Sequence, residues 1–188
     1  MVRYAKGHKE ESRARIVAAA GRGFRKLGYG GIGVDGLARE ANVTHGAFYG
    51  HFRSKAEAFR AAVVAGLREL RGGVEAMRAE HAKSWIPPFA AFYLGYKRTC
   101  EIAESCALPM LSAEVERADD ETRTAYQSEL VGLVEAVAGG LPAGADREER
   151  AWALVALFAG GVTLARAVPD PALSARIGAA VRDAAMRL

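Results

Sequence analysis

Apolar residues recur at helical spacing along this chain, and no stretch alternates apolar and polar residues for long enough to form a half-buried strand. Ile16, Ala20, Phe24 and Leu27, for example, fall on one face of a helix. Ala and Leu dominate over Val, Ile and Thr, and aromatic residues make up only 8% of the sequence, which favours helices over strands. The sequence therefore predicts an all-α protein of about nine helices.

Capping residues, glycines and prolines indicate where these helices begin and end. The pattern predicts helices over residues 9–27, 34–40, 45–52, from 55 to about 71 or 81, 87–104, 109–116, 121–137, 147–167 and from 171 onwards. Ser54 and Glu57 form a capping box before the fourth helix, and Asp146 and Asp170 are expected to cap the last two. Pro109 is expected to interrupt the chain near Cys106, because proline disfavours helix in the residue before it.

The charge of the chain is unevenly distributed. Residues 1–60 hold 12 Lys and Arg against 5 Asp and Glu, a local charge of +7, whereas residues 61–188 have a local charge of −3. This distribution is typical of a DNA-binding head on a body that does not bind DNA. The amino terminus lacks the apolar core of a secretory signal, and residues 151–162 are too short to span a bilayer and predict a buried helix. We therefore expect a soluble, cytoplasmic protein with no membrane partner.

Residues 34–52 predict a helix-turn-helix. Two short helices flank a tight turn in which Asn42 tolerates left-handed backbone angles, and Thr44 can cap the second helix. The small core that fixes the angle between the helices is predicted to consist of Leu37, Ala38, Val43 and Phe48, with Phe52 packed nearby. Polar side chains then project around the second helix and its end, as a DNA-reading helix requires.

The stretch VDGLAREANVTHGAFYGHFRSKAEAF, preceded by RARIVAAAGRGFRKLGYGGI, resembles the signature of the TetR family of bacterial regulators over residues of about 10–60. The resemblance implies a nine-helix all-α fold, with a DNA-binding domain over residues 1–54 and a ligand-sensing and dimerisation domain over residues 55–188. It further implies a homodimer on double-stranded operator DNA, released by a small-molecule inducer. The positions that match the family's DNA contacts are Thr44, His45, Gly46, Ala47, Tyr49, Gly50, His51 and Lys55.

These positions are expected to play two different roles. Thr44 and His45 lie at the helix end that meets the major groove, so they are the candidates for reading bases. Tyr49 and His51 would hydrogen-bond phosphate, with Lys55 close to phosphate at the start of the fourth helix. In the amino-terminal tail, Arg3, Lys6 and Lys9 are candidates for contacts with the DNA backbone or minor groove.

The chain also departs from the family pattern. Gly33 stands where the family usually has the Ser or Thr that caps the first helix of the motif. Gly46 and Gly50 lie in the recognition helix, where each costs about 1 kcal/mol relative to Ala. The recognition helix is therefore expected to be soft until DNA orders it.

The last two long helices are predicted to form the dimer. The helix over residues 147–167 is apolar on nearly every face, which is typical of a buried helix, and Gly160-Gly161 permits a close crossing. The last helix carries one apolar stripe that contains Leu173, Ile177, Ala180, Val181, Ala184 and Leu188. Together the two helices could form a four-helix interface with a two-fold mate, although an ordinary monomer core has the same pattern.

The inducer is expected to bind among helices 4 to 8 and to be small and apolar, aromatic or electrophilic. Candidate wall residues are Trp85, Phe89, Phe92, Tyr93, Tyr96, Cys106, Met110, Tyr126 and Trp152. The segment SCALPMLSAEVER resembles that of a subgroup of TetR-type regulators in which a cysteine responds to electrophiles or oxidants, and Cys106 matches that cysteine. A position at a helix amino end would favour its thiolate, whereas an inert buried cysteine is the other interpretation.

Two other classes of protein compete with a ligand-responsive repressor. A small-molecule enzyme would need a phosphate loop, a nucleophile elbow, metal-ligand spacing or paired carboxylates, and none of these motifs is found. An architectural DNA-binding protein without a ligand would need basic charge along most of the chain, whereas residues 61–188 are net acidic. We therefore expect neither an enzyme nor a requirement for a cofactor or metal.

Overall fold

The computed structural model describes the backbone of residues 2–188 and the side chains of residues 9–188. This part of the chain contains helices and no strand. The α-helices are α1 (Val2–Gly31), α2 (Val34–Glu40), α3 (His45–Tyr49), α4 (Lys55–His81), α5 (Ile86–Thr99), α6 (Ala107–Val115), α7 (Asp120–Ala138), α8 (Arg147–Ala167) and α9 (Pro171–Ala185). Two short 3-10 segments, Ala82–Ser84 and Ile102–Glu104, follow α4 and α5. The all-α prediction is confirmed.

Several predicted helix ends coincide with the structure because a local side chain satisfies the first backbone N–H groups. Ser54 accepts a hydrogen bond from the backbone N–H of Glu57 at 3.1 Å, and α4 begins at Lys55. Asp170 accepts one from the backbone N–H of Ala172 at 2.9 Å, and Pro171 opens α9. The longer of the two alternatives for α4 is the one observed, through Gly72 and Gly73 to His81.

Other predicted ends were wrong. The first helix begins at Val2 rather than at Lys9. Its regular turns end at Leu27 as predicted, because Gly28 adopts the non-helical φ 70°, and a short helical continuation beyond this kink reaches Gly31. The predicted break near Cys106 is present, because Ser105 and Cys106 are extended, but α6 begins at Ala107, two residues before the predicted start. Pro109 lies in the first turn of α6, where its missing N–H costs nothing because the first four N–H groups of a helix have no partner within it. Asp146 makes no capping bond to α8, and its carboxylate pairs instead with Arg150 at 3.3 Å.

Two apolar clusters organise the chain. The first, the head cluster, joins α1, α2 and α3 to the first half of α4 and to α6, with Phe24, Phe48, Phe52 and Phe59 among its fully buried side chains. The second, the body cluster, joins α5, α7 and α8 to the second half of α4, around Trp85, Phe89, Tyr93 and Phe158. Because α4 contributes to both clusters, the head and the body are continuous through one rigid helix.

Direct hydrogen bonds also tie α1 to the body. The Nε atom of Arg25 donates to the buried carbonyl of Ala103 at 2.6 Å, in the 3-10 segment Ile102–Glu104. The backbone N–H of Tyr29 donates to the carboxylate of Glu114, on α6, at 3.1 Å. These bonds attach α1 to the segment that leads from α5 to α6 and to α6 itself.

Helix α8 is less buried in the single chain than its composition predicts. One side, which includes Ala151, Leu154, Phe158 and Val162, packs in the body. The opposite side remains open, with Leu164 62% and Trp152 38% exposed. By length and composition α8 is the one helix in the described residues that could cross a membrane, and one third of its most apolar window is buried.

Candidate nucleic-acid interface

The helix-turn-helix forms as predicted, and its turn is fixed by backbone hydrogen bonds. Asn42 adopts φ 52°, and the N–H of Val43 donates to the carbonyl of Ala38 at 2.9 Å. Thr44 then caps α3, because its hydroxyl accepts from the backbone N–H of Ala47 at 3.1 Å. Gly33, the weak cap of α2, makes no side-chain capping bond. The geometry of the two helices therefore depends on the turn and on the core beneath it.

The core beneath the turn consists of the predicted apolar residues. Leu37 and Phe48 are fully buried, Ala38 is 3% exposed, and Val43 packs against them partly buried. The rings of Phe48 and Phe52 lie 5.5 Å apart, so the recognition helix is attached to the head through aromatic packing. A short helix of five residues is thus held by its core rather than by its own hydrogen bonds.

The predicted DNA contacts lie together on the outer side of this core. Six of the eight are exposed: Thr44, His45, Gly46, Ala47, Tyr49 and Gly50. The other two, His51 and Lys55, are half-buried at the edge of this group. Tyr49 is 47% exposed, with its ring edge against the buried Phe48 at 5.7 Å. Six of the eight positions are therefore exposed on α3 and its two caps, and His51 and Lys55 follow them between α3 and the start of α4.

Two of these residues have neighbours that the sequence alone did not indicate. The Lys55 ammonium lies 4.3 Å from the centre of the Tyr29 ring, so a cation–π contact holds it in place. His51 lies near Lys9 and Arg13, and its buried Nδ1 atom has no hydrogen-bond partner among the described residues. Burial, together with these two cations, lowers the pKa of His51, so its imidazole is neutral at pH 7 and can donate one hydrogen bond.

The sequence analysis also missed two residues at this surface. Arg13 lies with its guanidinium 4.9 Å from the centre of the Phe52 ring, which places a fixed positive charge beside the motif. Asp35, in the first turn of α2, contacts His45 across the turn. No local sequence pattern predicts the contact between Asp35 and His45, since ten residues separate them in the chain. Arg3 and Lys6 of the tail lie outside the described side chains.

The candidate ligand-binding residues divide into two groups. Phe89, Phe92, Tyr93 and Cys106 line a groove of about 320 Å³ between α4, α5 and the start of α6. Its α4 wall combines the small residues Gly66, Gly73 and Ala76 with the larger Glu69, Leu70, Met77 and Glu80. A separate apolar cavity of about 20 Å³ lies deeper, beside Trp85, Phe89 and Tyr93. That cavity has room for about one water molecule.

The remaining candidate wall residues lie outside the groove. The Nε1 of Trp85 donates to the carbonyl of Gly140 at 3.0 Å, within the body cluster. Tyr96 is 53% exposed and stacks on Phe92 at the groove's outer edge. Three others are dispersed: Met110 packs against the head cluster, Tyr126 shares a hydrogen bond of 2.8 Å with Ser112, and Trp152 lies on the open side of α8.

Cys106 is buried at the amino end of α6, near Tyr93, whose buried hydroxyl has no hydrogen-bond partner among the described residues. Burial raises the pKa of the Cys106 thiol, and this effect exceeds the opposing effects of the neighbouring hydrogen bonds and Lys97. Burial likewise raises the pKa of Tyr93. The thiolate expected from the helix-end position is therefore disfavoured. Cys100, at the carboxyl end of α5, is also a free thiol and is half-exposed.

The head is similar in sequence to known regulatory proteins. Residues 16–62 match the family model described as bacterial regulatory proteins, tetR family. Over 61 residues the chain is 44% identical to the HTH-type transcriptional regulator TtgR of Pseudomonas putida. This match covers 32% of the chain and spans only 29% of the length of that relative.

Solved structures resemble the whole chain rather than the head alone. The reduced form of NemR from E. coli superposes with a TM-score of 0.80 at 18% identity, over 95% of this chain and 96% of the other. FadR from Bacillus subtilis, solved in complex with stearoyl-CoA, superposes with a TM-score of 0.65 at 17% identity, over 89% and 96%. At these identities the likeness concerns the fold.

Proposed function

Since residues 16–62 match the model of the bacterial tetR family of regulatory proteins and the whole chain has the fold of solved TetR-family regulators, we propose that this protein is a ligand-responsive transcriptional repressor. In this proposal a homodimer binds a palindromic operator and a small molecule releases it. The observation that carries the proposal is the exposed α3 with its two caps, where six of the eight positions matching the family's DNA contacts lie over a buried aromatic core.

The head supplies both kinds of contact that a DNA-binding surface needs. Helix α3 would enter the major groove with Thr44 and His45 towards the bases. Tyr49, His51 and Lys55 surround it with groups that donate hydrogen bonds or positive charge to phosphate. Because residues 1–60 have a local charge of +7, affinity should fall steeply as salt concentration rises.

The test uses DNA fragments that the purified protein retains from a random pool. Tyr49→Phe and Lys55→Ala should weaken binding to every retained sequence, and Lys55→Ala should reduce the salt slope by about 1. Fluorescence anisotropy over a salt series measures both effects. Lys83→Ala, which removes an exposed lysine of the body, is the matched control. If neither head variant changed affinity or salt slope, this docking of α3 would be rejected.

The open side of α8 supports the homodimer. Trp152, Ala156, Gly160 and Leu164 follow one another at four-residue intervals and are all exposed in the single chain. This side carries no charged residue between Trp152 and Leu164, and beside it most of the apolar stripe of α9 is exposed or half-buried. An uncharged helical face of this length is typical of an oligomer interface, and the small residues at its centre allow a close approach.

The groove between α4, α5 and α6 supports the ligand. Its volume of about 320 Å³ lies at the lower end of the range for small-molecule sites, and aromatic rings form one wall. Ser105, Cys106 and Ala107 line it, and they directly follow the segment whose Ala103 carbonyl accepts from Arg25. A small apolar or aromatic inducer would thus act on a segment bonded to the head. To lower DNA affinity tenfold, the inducer must bind the conformation that releases DNA about 1.4 kcal/mol more strongly than the conformation that binds DNA.

An electrophilic inducer would act through Cys106 at the same groove. Because the thiol is buried and its pKa is raised, it would react only after the groove opens. Binding without a covalent bond therefore requires fewer steps and is the main proposal. We place the protein in the cytoplasm, where an operator-binding regulator meets DNA and the inducer.

A further inference from the structure

A carboxylate lies on the surface that faces DNA. Asp35 is in the first turn of α2, and its side chain is 80% exposed. Its Oδ1 atom lies 2.5 Å from the Nδ1 atom of His45, the first residue of α3. An acidic group stabilises the amino end of a helix, which alone would account for Asp35 in α2. It would not account for the contact with the neighbouring helix, nor for negative charge where phosphate is expected.

The contact restricts what the His45 ring can do. With its proton donated from Nδ1 to Asp35, the imidazole has only Nε2 left for another partner. The ring also lies against Tyr49, with the two ring centres 5.0 Å apart, so it is held on two sides. The atom at its free edge is an acceptor when the ring is neutral and a donor when it is protonated. An acceptor suits the amino group of adenine or cytosine, and a donor suits guanine.

We propose that Asp35 is a positioning residue that orients His45 towards one base pair in each half of the operator. The inference rests on the proposed function, because it requires α3 to bind DNA. Asp35 contributes to the choice of sequence while its charge opposes phosphate binding. Asp35 therefore lowers the affinity for DNA of any sequence and raises the preference for one site.

The test compares sequence preference rather than affinity alone. Parent, His45→Ala and Asp35→Ala proteins are each used to select duplexes from a randomised pool, and the selected bases are counted by sequencing. We expect His45→Ala to lose preference at one position of each half-site, by about tenfold. Asp35→Ala should lose it at the same position, while its affinity for unrelated DNA rises because a negative charge is gone.

Two further variants separate positioning from a structural role. Asp35→Asn keeps an oxygen that can accept from Nδ1, so it should retain much of the preference. Glu40→Gln removes a carboxylate from the same helix, but Glu40 pairs with Arg22 and Lys26 of α1, so the selected sequence should not change. Thermal unfolding of each variant reports any loss of fold.

The outcomes distinguish this inference from the function on which it rests. If the parent selects no sequence, the proposed function fails and the inference fails with it. If the parent selects a site and Asp35→Ala selects the same one with unchanged preference, only the inference is overturned. A uniform loss of affinity in Asp35→Ala, together with a lower melting temperature, would also overturn it, because Asp35 would then be a structural residue of the head.

Discussion

Replacing Gly66 by alanine tests how closely α4 approaches α6. A Cβ atom at Gly66 would overlap the methyl group of Ala107, the first residue of α6, at a separation that real side chains do not adopt. Neither atom belongs to a flexible side chain, so the two helices themselves would have to move apart. Gly73, seven residues later on the same helix, has no atom within 4 Å of such a Cβ among the described residues.

The pair of variants isolates the steric effect. Each replacement gains about 1 kcal/mol because alanine favours helix over glycine. Gly66→Ala also incurs the cost of overpacking, about 1–3 kcal/mol, which Gly73→Ala avoids. The free energies of unfolding of the two variants should therefore differ by about 1–3 kcal/mol, with Gly73→Ala more stable than the parent. For a chain of 188 residues this difference corresponds to roughly 2–12 °C in melting temperature.

Thermal unfolding followed by circular dichroism measures the difference, with all three proteins at one concentration because dimerisation would shift the midpoint. Urea unfolding then gives the free energies. Should Gly66→Ala be as stable as Gly73→Ala, the close approach of α4 to α6 would be refuted. The shape of the groove, which Gly66 and Ala107 both line, would then differ from the one described.

Three other changes test the remaining surfaces. Leu164→Glu should yield monomers in light scattering, because it places a charge on the open side of α8, whereas Val131→Glu on an exposed part of α7 should leave the dimer intact. Gly73→Leu should fill the groove and abolish stabilisation by aromatic ligands in thermal-shift assays, and the same change at the preceding glycine, which does not line the groove, should not. At pH 7 iodoacetamide should label Cys100 before Cys106, since burial raises the pKa of the latter; equal labelling rates in mass spectrometry would contradict this.

The head could be predicted from sequence because its signals are local. A cap such as Ser54 or Thr44 bonds to a residue three positions away, so sequence spacing alone specifies the contact. The turn at Asn42 and the buried Phe48 follow from similarly short patterns. For the same reason the predicted bounds of α2 coincide with those observed.

The body was harder to predict because its arrangement depends on distant contacts. Pro109 correctly predicts a break near Cys106, but it does not fix the ends of the flanking helices, since α5 ends at Thr99 and α6 begins at Ala107. An aromatic residue in the sequence predicts burial, but it does not indicate which residues it will contact. Phe89 lines the groove, for example, whereas Tyr126 lies outside it and shares a hydrogen bond with Ser112. The apolar composition of α8 predicts a buried helix, but it does not indicate that the single chain buries only one side of this helix.

The residues that form the head cluster limit where this chain can be joined to another protein in a chimaera. Phe59, Val63 and Leu67 of α4 and Leu111 of α6 belong to the same apolar cluster as α1, and the rings of Phe24 and Phe59 meet edge to face at 5.1 Å. A chimaera joined after Ser54 would place a foreign first helix on the recipient's aromatic surface. Transplanting the specificity of this protein onto another body would instead require α1 to α3 to travel with the first half of α4 and the facing side of α6. The unit that must be transferred is thus a discontinuous set of residues, and it is larger than the segment proposed to contact DNA.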